Sequence, residues 1–290
     1  MGARALGCVL VLLTASTALA DLESVLKAAT KFEDGWAIKL DRALKVEGAD
    51  VNLLVEDPNN AGNMVTPLLV VLKAIAERKG GFAIFTNLLA HKDIDLNTAG
   101  KAPNGEKMTP ILYAILFAVH ADTGHGDENI GKHKHDSIHA AGALLARKEV
   151  NLSGQKMSLL GMALSAYAAG QLRGLAVAKM LMKRDEINVN ELTYSDDGSQ
   201  VSPIGVMVTA VATQGGSAGL EFAGELLQRA DLDLHVKEVM SDGSITSPLK
   251  RCLILRKELP DNKAIQKLLN MMQLREIADD PDKPAAKTEL

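Results

Sequence analysis

Thr66-Pro67-Leu68, Thr109-Pro110-Ile111, Ser158-Leu159-Leu160, Ser202-Pro203-Ile204 and Ser247-Pro248-Leu249 recur along this 290-residue chain at spacings of 43, 49, 44 and 45 residues. Each triplet reads as a helix start. A Thr or Ser hydroxyl caps the exposed N–H groups of a first turn, and Pro at the first helical position loses no hydrogen bond there. A glycine stands four residues before each triplet, as Gly62, Gly105, Gly154, Gly198 and Gly243. That fixed offset predicts a tight turn that belongs to the repeat.

A second element recurs upstream of the turns, an acidic-apolar-amide pattern at Asp50-Val51-Asn52, Asp93-Ile94-Asp95, Glu149-Val150-Asn151, Glu186-Ile187-Asn188 and Asp231-Leu232-Asp233. It follows a second amphipathic helix. Phe82, Phe85, Leu88 and Leu89 mark its apolar face in one repeat, and Phe222, Leu226 and Leu227 in another. With aromatic residues at 3% and Ala, Leu and Gly abundant, small-residue helix packing fits better than an aromatic-centred sandwich or barrel.

A helix, a helix and a protruding finger resemble the ankyrin repeat, with Gly48-Ala49-Asp50-Val51-Asn52 and the Thr-Pro openings as the most recognisable pieces. The resemblance covers nearly all of Asp21 to Met272. It implies an all-α, ankyrin-like helical repeat solenoid with long finger loops, in about six units starting near residues 21, 65, 109, 158, 202 and 247. Two features depart from it. Where ankyrin repeats favour His after Thr-Pro-Leu, this chain has Leu69, Leu112, Gly161, Gly205 and Lys250, so the usual Thr-to-His bond between repeats is missing. The repeats also exceed the ankyrin period of about 33 residues and approach HEAT or armadillo lengths. The fingers account for much of the excess: Asn52 to Thr66 and Asn188 to Ser202 each cover 14 positions, Asn151 to Ser158 only seven.

Residues 1–20 carry Arg4, an apolar run from Ala5 to Leu13 and a small-x-small ending at Ala18-Leu19-Ala20, the pattern of a cleaved signal peptide. Residues 273–290 are expected to form a flexible tail. Its last four, Lys287, Thr288, Glu289 and Leu290, resemble the Lys-Asp-Glu-Leu retrieval signal, with Thr288 in place of Asp. Together these imply residence in the endoplasmic reticulum lumen and a retrieval receptor at the C-terminus, with secretion as the alternative. A PDZ-ligand reading of the tail needs a cytosolic location, which the leader argues against. No segment beyond the leader is apolar enough to span a membrane.

Basic residues number 32 against 36 acidic, a net charge of −4 that predicts no nucleic-acid surface. Cys8 leaves with the leader, so Cys252 has no internal disulfide partner; it is a buried thiol or the source of an intermolecular bond. The functional expectation is a non-enzymatic scaffold or adaptor that holds a protein partner on its fingers and concave surface. Candidate contacts are Asp57, Asn59, Asn104, Tyr194, Asp196, Met240 and Asp242, Tyr194 foremost because aromatic side chains dominate binding hot spots. A secreted effector-like repeat protein is one alternative, and a metal-binding protein built on the His120–His139 loop another.

That loop holds five of the seven histidines, and His133, His135 and His139 are its candidate metal ligands. Its glycines make closure on a metal costly in ordering entropy, and its spacing matches no zinc finger. Asn151-Leu152-Ser153 is an N-glycosylation acceptor whose Asn also occupies the recurring amide position. Asp122-Thr123-Gly124 has no second copy to share a proton as an aspartic-protease dyad must. The sequence assigns no catalytic residue and no cofactor.

Overall fold

A computed structural model of the chain describes residues 21–102, 105–120, 136–153, 158–195 and 197–279. Six helix pairs run through them in chain order. The pairs are α1 (residues 21–29) with α2 (Trp36–Leu44), α3 (Pro67–Ala76) with α4 (Phe82–Ala90), and α5 (Pro110–His120) with α6 (Asp136–Leu145). They continue with α7 (Leu159–Ala168) and α8 (Leu172–Leu181), α9 (Pro203–Gln214) and α10 (Ser217–Leu227), and α11 (Pro248–Glu258) and α12 (Lys263–Asp279).

Every helix start expected from a triplet is present and capped by the expected hydroxyl. Thr66 Oγ1 accepts the N–H of Leu69 at 3.3 Å, Thr109 Oγ1 that of Leu112 at 3.3 Å, and Ser158, Ser202 and Ser247 do the same for Gly161, Gly205 and Lys250 at 3.1, 3.2 and 3.4 Å. Each cap contributes on the order of 1 kcal/mol. The first helix of an inner pair is apolar nearly all round: α3 buries every residue except Lys73 and Ala76. Such a helix is stable only when flanked on several sides. The second helix buries one stripe, Ile84, Phe85 and Leu88 in α4 and Gly219, Phe222, Ala223, Leu226 and Leu227 in α10. Phe85 and Phe222 are among the largest fully enclosed side chains, and truncating either to Ala would cost about 3–5 kcal/mol.

The fingers, expected as loops, contain strands. They are the antiparallel hairpins β1 (Val55–Glu56) with β2 (Met64–Val65), β3 (Gly100–Lys101) with β4 (Lys107–Met108), β5 (Thr193–Tyr194) with β6 (Gln200–Val201), and β7 (Glu238–Val239) with β8 (Ile245–Thr246). The chain is therefore mainly helical with small antiparallel sheets, and the all-α expectation is corrected on this point. The missed signal is the repeated glycine. At the last two tips the N–H of Gly198 and Gly243 bonds back to Ser195 and Met240, while Ser195 and Met240 in turn bond Ser199 and Ser244. Both glycines have φ near +80°. A left-handed glycine closes each tip, a conformation that costs glycine no steric penalty.

Neighbouring hairpins pair through Met64 with Lys101 and through Gln200 with Val239, giving two four-stranded sheets, β1-β2-β3-β4 and β5-β6-β7-β8. Among the described residues no strand lies between β4 and β5, where the finger is shortest. The chain divides there into two compact units, Met1–Asn151 and Leu152–Leu290. In the first unit α3 packs on α4, α5 and α6; in the second α9 packs on α7, α10, α11 and α12.

The tail was expected from residue 273, yet α12 continues to Asp279, because Arg275 donates to the carbonyls of Arg229 and Ala230 and Glu276 lies 3.3 Å from His235. Cys252 is a fully enclosed free thiol whose pKa burial pushes up to about 12, so an intermolecular disulfide would require the last helix pair to open. Among the described residues no helix is long and apolar enough to cross a membrane.

Candidate protein-binding surface

The sheets and the loops at their base decide which side chains are available to a partner. In the loops, the recurring motif is a pentad: Gly48–Asn52, Asp93–Asn97, Glu149–Ser153, Glu186–Asn190 and Asp231–His235. Its fourth residue, Val51, Leu96, Leu152, Val189 or Leu234, is buried every time. Its third residue bonds the backbone two positions on, as Asp50 to Asn52, Asp95 to Asn97, Asn188 to Asn190 and Asp233 to His235, at 2.7–2.9 Å. The motif register in the first repeat is thus shifted by two: Asp50 corresponds to Asp95, and Asn52 to Asn97.

The fifth residue bridges to the next pentad. Asn52 donates to the carbonyl of Asp93 and accepts the N–H of Asp95; Asn97 does so with Glu149 and Asn151, and Asn190 with Asp231 and Asp233, at 2.6–2.8 Å. An arginine two residues before the pentad's acid adds a second tie. Arg147 pairs with Glu149 and donates to Leu89 O, and Arg229 pairs with Asp231 and donates to the carbonyls of Asp185 and Ile187. Arg184 and Glu186 form the third such pair. The Arg-x-acid spacing was readable in the sequence as a signal that runs through three repeats.

At the base of the fingers, side-chain volumes interlock. A Cβ on Gly161 would overlap Thr193, one on Gly205 would overlap Glu238, and one on Gly100 would overlap Leu69 and the backbone of Met64. Small and large exchange places between helix and strand. Beside Gly205 the contact is also made by bonds: Glu238 Oε1 accepts Ser202 Oγ–H at 2.6 Å and Ser202 N–H at 2.9 Å. Burial raises the pKa of Glu238, opposed by Ser202 and by Arg251 3.9 Å away; burial also lowers that of Arg251.

Thr193 and Glu238 face the helices, so alternation turns Tyr194, Gln200, Val239 and Ile245 to the other face. The register Tyr194–Gln200, Gln200–Val239 and Val239–Ile245 sets these four in one row across the second sheet. Tyr194 is 56% and Ile245 64% exposed. The matching row of the first sheet is Glu56, Met64, Lys101 and Lys107. One row is mostly apolar and the other mostly charged, although both descend from the same finger design. Asp197 and Asp242 stand exposed at the tips of the apolar sheet, each accepting the N–H two residues on, which holds it below the usual carboxylate range.

Of the sequence candidates, Tyr194, Met240 and Asp242 fall on this sheet and its tip. Asp57 does not face solvent: its carboxylate is enclosed, accepting from Asn59 N–H and from the amides of Asn59 and Asn60, with Lys73 3.6 Å away. Burial would raise its pKa, but these donors outweigh burial and lower it. Asn59 spends its amide on Asp57 and on Thr30 Oγ1. Asn104, Asp196, His133, His135 and Lys287 to Leu290 lie outside the described residues. His120 ends α5, and His139 on α6 lies edge-on to Phe82. Ile245 and Val239 were missed because a lone apolar residue in a polar finger has no local period. Comparison with protein-family models, curated proteins and solved structures found no match for this chain.

Proposed function

We propose that the chain is a divergent ankyrin-like repeat protein of the endoplasmic reticulum lumen that binds a protein partner through the outer face of its second finger sheet and performs no chemistry. The row Tyr194–Gln200–Val239–Ile245 carries this reading. An exposed aromatic and two aliphatic side chains in line form an anchor strip, and a polar rim is what surrounds such strips at interfaces. Here the rim is acidic, from Asp197 and Asp242. The complement is a protein segment that alternates apolar side chains with Lys or Arg. Paired hairpins, bridged loops and interlocked volumes support the strip rigidly, which lowers the ordering cost of binding.

Site-specific photocrosslinkers at positions 194 and 245, with a control at Lys107 on the first sheet, test the reading in cells that express the full chain. Crosslinks to one discrete protein from 194 and 245, absent at 107 and lost at high salt, are expected. Equal labelling from all three positions would refute the assignment of the surface.

A further inference from the structure

The five pentads share one pattern of exposure: the third residue, Asp50, Asp95, Asn151, Asn188 or Asp233, is always exposed and the fourth always buried. They differ in chemistry at the fifth. Asn52, Asn97, Asn190 and His235 occupy it in four repeats, and Ser153 in the remaining one. That single departure completes Asn151-Leu152-Ser153, the one Asn-x-Ser/Thr triplet in the chain. We propose that Asn151 carries an N-linked oligosaccharide, a modification that rests on the luminal reading above.

Three observations support the site. Leu152 fills the intervening position with its side chain in the core, so the triplet is pinned while Asn151 stays outside. The backbone N–H of Asn151 is taken by Asn97 Oδ1 at 2.7 Å, so the loop is tied to the preceding pentad through its backbone. At all four other pentads the third side chain folds over the backbone of the fifth residue. Applied to Asn-Leu-Ser, that turn sets the carboxamide beside the serine hydroxyl, the pair an oligosaccharyl transfer uses. The co-reactant is a lipid pyrophosphate-linked oligosaccharide. The Asn151 amide nitrogen bonds to the anomeric carbon, the bond from that carbon to the pyrophosphate oxygen breaks, and the amide proton passes to base as the lipid pyrophosphate leaves.

The full chain, with its own leader and tail, is expressed in a glycosylating eukaryotic cell and probed two ways: by amidase digestion of N-glycans and by protease protection in intact microsomes. The expected result is a protected chain that drops by the mass of one oligosaccharide on digestion. Asn151→Gln and Ser153→Ala should already migrate at the digested position, and Ser153→Thr should keep the shift. A protected chain that digestion leaves unchanged overturns the glycan and leaves the luminal reading standing. An unprotected chain overturns both.

Discussion

Glu238 Oε1 lies 2.6 Å from Ser202 Oγ and occupies the space a side chain on Gly205 would need. One carboxylate therefore reinforces the cap of α9 and fills the hollow beside it, joining the last finger to the helix pair before. Placing a methyl at 205 must push Glu238 away. Gly205→Ala is expected to cost about 1–3 kcal/mol, the usual penalty of overpacking. In a double-mutant cycle with Glu238→Ala the two losses should be less than additive, read from urea midpoints. Full additivity would mean the two sites do not meet.

Asp57 makes the first finger sensitive to acid. Its pKa is lowered in the fold, so its stabilising contribution is complete above the ordinary aspartate range and is lost as pH falls through the lowered value. Asp57→Ala should cost about 2 kcal/mol at neutral pH, for the loss of several hydrogen bonds to a charged acceptor. The cost should shrink in strong acid, where wild type loses the same bonds. Urea denaturation at pH 7 and near pH 2 checks both.

The bridge from Asn190 to Asp231 and Asp233 spans 41 and 43 residues. Asn190→Ala removes both hydrogen bonds, and a loss of about 1–2 kcal/mol is expected. Asn190→Asp keeps the acceptor for the Asp233 N–H but turns a negative oxygen toward the Asp231 carbonyl, so it should recover at most part of the loss. Hydrogen exchange of the Asp233 amide should quicken in the alanine variant.

Cys252 should resist a water-soluble thiol reagent in the native protein and react at once in denaturant, since it is enclosed and its thiolate is disfavoured at neutral pH. Prompt labelling of the native chain would show that the last helix pair opens readily.

The starts of α3, α5, α7, α9 and α11 were legible because capping and first-turn proline are local chemistry: Thr66 or Ser202 acts on a backbone group three residues away. The core faces were nearly as legible, though on α4 Ile84 is buried while Phe82 and Leu89 are only half-buried. The candidate surface was legible only at Tyr194, Met240 and Asp242. Asp57 reads as a solvated finger acid, and only the fold shows four N–H donors, from Asn59, Asn60 and Asn63, and Lys73 converging on it. The strands escaped notice because two-residue ladders leave no alternation to detect.

By itself, then, the sequence determined where helices begin, how often the unit repeats and where the turns fall, since each depends on contacts within a few residues. Tertiary structure decided that fingers pair into two sheets, that Asn52, Asn97 and Asn190 bridge successive pentads, and that Gly205 makes room for Glu238. Those contacts join residues from 33 to 54 positions apart, and their partners are chosen by how neighbouring repeats stack, which no local pattern encodes.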